Sequence, residues 1–238
     1  TLLLCGCRIE SIPESFFDDT NELKTLDLSS NPIKSLPHSL SNLKNLTSLL
    51  LAYCEDLGSV PSSLNLGVLK KLNLRGTKIK EIPNGVLSRF CCLHELIVGG
   101  TLINGKEVGG LKKLQGTLEG RFYDWHNLNM YLEACRGREE PREYMIYVGD
   151  ANFYTFSEYN YQIVLPRDIE GLVIEECNVD CSEEYPLFSR FIRFSLSFSS
   201  LTTLHLFDCG NMKKCSPQTV CRQIYKSSVL LGVSNWRK

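Results

Sequence analysis

The sequence predicts an α/β solenoid, a curved stack of coils with parallel strands on the concave face and irregular turns and short helices on the convex face. Three observations predict it. Leucines recur as L-x-L-x-x-(N/C/T)-x-(L/I) at a spacing of 23 or 24 residues, a small hydrogen-bonding residue holds the same place in each unit, and an apolar-proline pair follows in constant phase.

The units read Leu2-Leu4-Cys7-Ile9, Leu26-Leu28-Asn31-Ile33, Leu49-Leu51-Cys54-Leu57, Leu72-Leu74-Thr77-Ile79 and Leu96-Val98-Thr101-Ile103, the third with one extra residue before Leu57. Each opens as a strand whose alternate leucines point inward. The Asn, Cys or Thr then turns the chain, and at a buried, stacked turn its side chain is expected to satisfy backbone groups of the neighbouring coil. That role accounts for Cys7 and Cys54 without reactive chemistry. Ile12-Pro13, Leu36-Pro37, Val60-Pro61 and Ile82-Pro83 end the extended stretch, because proline restricts the backbone, and Phe16, Leu40, Leu64 and Val86 follow as apolar positions. No single coil buries these leucines, so coils must stack into a leucine-rich-repeat solenoid.

Regular repeats fill residues 1–104. From 105 to 171 the repeats become enlarged and irregular, with a helix expected from Asp124 to Ala134, capped by Asp124 and apolar at Leu128, Tyr131 and Leu132. Tyr144-Ile146-Val148 and Tyr161-Ile163-Leu165 alternate as strands do. The pattern resumes over 172–215 in Leu172-Ile174-Cys177-Val179 and Leu204-Leu206-Cys209-Met212. Residues 216–238 fit no repeat and admit three readings: a cap, a disordered tail, or the abnormal end of a truncated frame. The chain enters a repeat directly at Thr1, so further sequence is expected ahead of it.

A formal charge of −1 favours neither a nucleic acid nor a membrane surface as partner. The longest apolar runs, Leu46–Tyr53 and Ser228–Val233, are too short to span a bilayer. The cysteines, 11 in number, show no regular framework and are taken as reduced thiols of a cytoplasmic protein. The Asn45-Leu46-Thr47 sequon is taken as a chance triplet.

These residues carry a resemblance. The Ile-Pro and Leu-Pro repeats resemble those of plant intracellular coiled-coil nucleotide-binding leucine-rich-repeat disease-resistance proteins. Leu111-Lys112-Lys113-Leu114, Leu118 through Asp124, Asn129-Met130-Tyr131-Leu132, Leu165 through Glu170 leading into Leu172 through Cys177, and Asp208 through Lys214 are similar to blocks of that group, over roughly residues 1–214. The resemblance implies a recognition module whose partner is a pathogen effector, a guarded host protein or an adjacent nucleotide-binding domain. No phosphate-binding module lies in this chain, so nucleotide binding is not implied for it. A non-immune adaptor, or an inert receptor fragment, stays open beside this reading.

Chemical sites are weakly signalled, and neither a cofactor nor a metal is expected. Gly100 to Glu107 nearly matches a phosphate loop, but Glu107 replaces the magnesium-binding hydroxyl and the segment overlaps the expected Thr101 turn. His38, His94, His126 and His205 lack zinc spacing, and Cys177-x-x-x-Cys181 lacks a second pair. Cys91 and His94 have no identifiable orienting third residue, so an enzyme is the least favoured class.

Recognition is instead expected from the side chains that alternate with the buried leucines. These are Asp27 and Ser29; Leu50 and Tyr53; Asn73 and Arg75; His94, Glu95 and Ile97; Val173 and Glu175; and His205, Phe207 and Asp208. Mixed charge with exposed aromatics suits a protein partner better than a phosphate backbone.

Overall fold

The computed structural model describes residues 1–123, 125–136, 141 and 143–148, together with strand residues 163–164, 171–175, 192–193, 203–207 and 230–234. The repeat spacing appears directly as sheet register. Strands β1 (Leu2–Leu3), β2 (Thr25–Asp27), β3 (Ser48–Leu50), β4 (Lys71–Asn73), β5 (Glu95–Ile103), β6 (Thr117–Phe122) and β7 (Glu143–Val148) form a parallel sheet in sequence order. Leu2 pairs with Leu26, Leu26 with Leu49, Leu49 with Leu72, Leu72 with Leu96 and Leu96 with Leu118. A constant repeat length therefore sets the same leucine column in every coil, and Leu26, Leu49, Leu96 and Leu118 are wholly buried. Beyond β7, β8 (Ile163–Val164) pairs in parallel with β10 (Ile192–Arg193), and β11 (Thr203–Phe207) lies between β9 (Gly171–Glu175) and β12 (Leu230–Ser234). Strand β12 falls in the stretch 216–238, where no repeat pattern marks it.

The expected turn residues bridge coils in most places. Asn31 donates to Leu4 O at 2.7 Å and accepts from Ile9 N at 2.9 Å, both in the preceding coil, and donates to Leu28 O at 2.8 Å in its own. The Cys54 thiol reaches back to Leu28 O at 3.1 Å, and burial pushes its pKa up. Thr77 instead bonds Leu74 O of its own coil. Cys7 departs from expectation: it is exposed and faces only Cys5 O, at 3.7 Å, because the first coil has no described coil before it to supply an acceptor.

The left-handed backbone recurs too. Gly6, Ser30, Tyr53 and Gly76 hold φ of 67°, 57°, 58° and 72° at equivalent places. In the fifth coil the left-handed residue is Gly99, at φ 60°, one place earlier. The pairing of β5 with β6 shifts between Ile97 and Leu102, and the strand continues where a turn was expected. Thr101 accordingly lies inside β5, buried, donating to Ile79 O at 2.9 Å. This bulge lengthens β5 and β6 relative to the two- and three-residue strands before them.

On the convex side Leu36, Leu40, Leu43 and Leu46, with their counterparts in later coils, close one continuous core. In the first coil the structure corrects the sequence: Phe16 is 45% exposed while Phe17 is buried, the two rings meeting edge to face at 5.0 Å. Phe17 is the ring that faces the second coil, its amide donating to Ser39 Oγ. Early coils use 3-10 turns at His38–Asn42 and Leu87–Arg89, whereas later ones use helices α1 (Gly105–Gly109) and α2 (Trp125–Cys135). The second helix starts within a residue of expectation and buries Leu128, Tyr131 and Leu132; its expected cap, Asp124, lies outside the described residues. Gly105 and Gly109 let the two helices touch, since a Cβ on Gly105 would stand 1.9 Å from Asn127 O and one on Gly109 2.5 Å from Ala134 Cβ.

Candidate functional site

Strand alternation puts a second set of side chains on the concave face. One row runs Asp27, Leu50, Asn73, Ile97 and Glu119 through successive pairings. Beside it runs Thr25, Ser48, Lys71 and Glu95. Ser29 and Arg75 continue the face just past the ends of β2 and β4. Asp27 and Asn73 act alike: each accepts the backbone N–H two residues on, from Ser29 at 2.9 Å and from Arg75 at 3.1 Å. These short side chains thus pin the strand ends.

The charges on this face are largely joined to one another. Lys71 meets Glu95 at 2.6 Å across the β4–β5 pair. Arg75 passes over Gly99 on β5 and binds the Glu119 carboxylate on β6 through Nε, at 3.0 Å to both oxygens, and through a terminal nitrogen. Glu119 keeps 2% of its side chain exposed and Arg75 40%. The Arg75 stem lies against Gly99, where a Cβ would stand 3.8 Å from it, in ordinary van der Waals contact. Arg121 similarly crosses Gly100.

Tyr53 is 55% exposed, and its ring lies across Gly76, where a Cβ would meet Cδ1 at 2.6 Å. Leu50 and Ile97 on the concave row are half-buried, and Leu3 stands 65% exposed. Two of the sequence-derived candidates sit elsewhere than expected. Tyr53 occupies the turn after β3, and His94 precedes β5, where its amide bonds Lys70 O at 2.7 Å and its carbonyl receives Gly116 N at 2.9 Å. Val173 and Glu175 lie on β9 in register with His205 and Phe207 on β11, while Asp208, Cys177 and Cys209 lie outside the described residues. Sequence reasoning missed Lys71, Glu119 and Arg121. The alternation Leu118-x-Gly120-x-Phe122 carried the signal for the latter two.

The phosphate-loop likeness dissolves in the geometry. Gly100 to Ile103 belong to β5, and Asn104 caps α1 by accepting the amides of Lys106 and Glu107. The Gly105 amide donates to Asn127 Oδ1 at 2.8 Å, and Glu107 accepts from Gly85 N at 2.6 Å. The N–H groups a phosphate would need are therefore engaged. Among the described residues no group of three or more His, Cys, Asp or Glu could hold a metal ion, and no helix is long and apolar enough to cross a membrane.

Comparison of the sequence with known families agrees with this architecture. The leucine rich repeat family matches residues 1–55. A probable disease resistance protein of Arabidopsis thaliana is 33% identical over 126 residues, 50% of this chain and 7% of that protein. A second Arabidopsis disease resistance protein is 41% identical over 93 residues, 37% of this chain and 9% of its own length. Keratocan of Mus musculus is 37% identical over 165 residues, 67% of this chain and 44% of keratocan. A solved leucine-rich-repeat protein of Leptospira interrogans aligns over 94% of this chain and 70% of its own at 17% identity, with a TM-score of 0.42. The chain thus spans a small part of the plant relatives it matches. Repeat, register and leucine core together make it a leucine-rich-repeat solenoid, similar in sequence to parts of plant disease resistance proteins.

Proposed function

We propose that this chain is the protein-recognition part of a plant immune receptor of the coiled-coil nucleotide-binding leucine-rich-repeat type, acting in the cytoplasm. Its partner is a pathogen-derived protein, a guarded host protein, or the nucleotide-binding domain of the same receptor. The concave row carries this reading: Leu50, Asn73 and Ile97 follow one another at strand spacing, and the exposed Tyr53 ring lies in the turn that follows β3. An apolar and aromatic centre with polar surroundings is the composition that protein interfaces favour. Similarity to disease resistance proteins supports the immune setting. Glu175, His205, Phe207 and Asp208 extend the proposed contact surface towards the C-terminus.

The test is retention from extracts of infected plant tissue by the immobilised chain, compared with a Tyr53→Ser, Asn73→Ala variant. A retained protein whose cross-links map to the concave face, and which the variant loses, supports the reading. Equal retention by both forms sinks it. The keratocan match favours a second reading, a non-immune leucine-rich-repeat adaptor. A transcript from native tissue with no nucleotide-binding region in frame would select that alternative.

A further inference from the structure

We propose that the edge formed by the N-terminal ends of the strands is a second docking surface, separate from the concave face, for a short acidic segment of a partner protein. The edge is continuous. Thr47 N bonds Lys24 O, Lys70 N bonds Thr47 O, His94 N bonds Lys70 O and Gly116 N bonds His94 O, at 2.7–2.9 Å throughout. Just ahead of this ladder, Asn45 Nδ2 reaches Asn21 O at 3.0 Å and Lys113 Nζ reaches Cys92 Sγ at 3.7 Å. The residues between each pair of buried leucines therefore sit side by side along one border of the solenoid.

That border is basic in a chain whose formal charge is −1. It carries Lys24, Lys44, Lys70, Lys112 and Lys113, all exposed. Among the described residues none of these ammonium groups pairs with a carboxylate, in contrast to Lys71 with Glu95 and Lys78 with Asp56. The carboxylates on the same border are Glu22, at its first-coil end, and Glu95, which lies over Gly116 and is held by Lys71. Midway along lies Val68, 40% exposed, next to Gly67, where a Cβ would only just touch Arg89 O, at 3.9 Å.

Charge and size together choose the occupant. From β2 to β6 the border crosses four strand intervals, about 19 Å, which an extended segment of about six residues spans. Carboxylates along that segment would meet the lysines, and one apolar side chain would cover Val68. A long polyanion is disfavoured, because Asp19 and Glu22 stand together at the first-coil end of the basic border and would repel a nucleic acid or an anionic membrane extending past it.

The test uses the full chain and a synthetic octapeptide of glutamate and aspartate with one central leucine. Binding is followed by fluorescence anisotropy, and a zero-length carbodiimide joins carboxylates to lysines for mapping by mass spectrometry. Cross-links should concentrate at Lys24, Lys44, Lys70, Lys112 and Lys113 over Lys34, Lys80 and Lys106. Lys70→Glu with Lys113→Glu should weaken binding about tenfold or more at about 0.15 M salt, and the milder Lys70→Gln with Lys113→Gln less, with circular dichroism unchanged in both. Cross-links spread evenly over all exposed lysines would overturn the proposal. So would unchanged affinity in the folded charge-reversed form, or tighter border-dependent binding to a single-stranded RNA oligomer or to phosphatidylserine vesicles than to the peptide.

Discussion

Arg75 reaches across an entire strand to hold Glu119: its stem starts just past β4 and lies against Gly99 of β5, and its guanidinium closes on a carboxylate of β6 that is almost fully enclosed. The pair ties three coils together where the sheet changes from short strands to long ones. Its two ends are unequal, since Arg75 retains water and Glu119 does not.

Removing Arg75 should therefore cost more than removing Glu119. Arg75→Ala leaves a buried carboxylate without its cation and should destabilise the chain by about 2–3 kcal/mol, whereas Glu119→Gln, which removes the buried charge and keeps an acceptor for Arg75, should cost about half that. Urea unfolding of both variants and of the double variant gives the two costs and their coupling. Equal costs would show that Glu119 finds another partner or water.

Asn31 should be the most demanding turn residue. Asn31→Ala removes bonds to Ile9 N, Leu4 O and Leu28 O at once and strands buried backbone groups, for an expected loss of about 2–3 kcal/mol. Thr77→Ala, whose hydroxyl serves one carbonyl of its own coil, should lose about 1 kcal/mol. Thermal unfolding of the two variants under one buffer ranks them, and a reversed order would contradict the inter-coil role.

The Tyr53–Gly76 contact sets a second asymmetry. Gly76→Ala brings a Cβ to 2.6 Å from the Tyr53 ring at a left-handed φ of 72° and should cost about 1–2 kcal/mol. Tyr53→Gly frees a left-handed tyrosine and should stabilise by about 0.5–1 kcal/mol while abolishing concave-face binding. In the double variant the clash is gone, so its cost should fall below that of Gly76→Ala alone. Equilibrium unfolding of all three forms checks this.

Cys54 should report alkaline destabilisation. Its folded pKa is raised by burial, so both states keep the proton below the ordinary thiol range and the contribution is then fully present. As pH climbs past the unfolded thiol pKa, the unfolded state ionises first, and stability falls until the folded pKa is reached. Stability measured at stepped pH should show a component above about pH 8.5 that Cys54→Ala lacks. Disulfide-exchange labelling should also reach the exposed Cys91 before Cys54. Simultaneous labelling in the folded state would count against a buried Cys54.

Much of the fold was legible because its causes are local and repeated. A leucine every second residue makes a half-buried strand, and a constant repeat length places those leucines in columns, so Leu26, Leu49, Leu72 and Leu96 needed no tertiary information to be matched. The helix near 125–135 showed in its apolar spacing. Parts of the candidate surface were legible for the same reason: Asp27, Asn73 and Glu95 are odd members of an alternating pattern. What stayed hidden depends on departures from periodicity. The left-handed Gly99 looks in sequence like any other glycine, yet it lies where the β5–β6 register shifts and β5 runs on past Thr101. Residues 44 apart carry no mutual signal in one sequence.

By itself, then, the sequence determined the solenoid, its parallel strands, its leucine columns and the identity of the inward and outward sets, because burial of apolar side chains at fixed spacing admits one arrangement of coils. Tertiary structure alone decided which outward residues hold each other, which turn residues find a neighbour, that Phe17 rather than Phe16 is buried, and that the lysines line one border. Those outcomes rest on distances between coils, which a bulge or an end coil changes by a few ångströms while the repeat pattern stays the same.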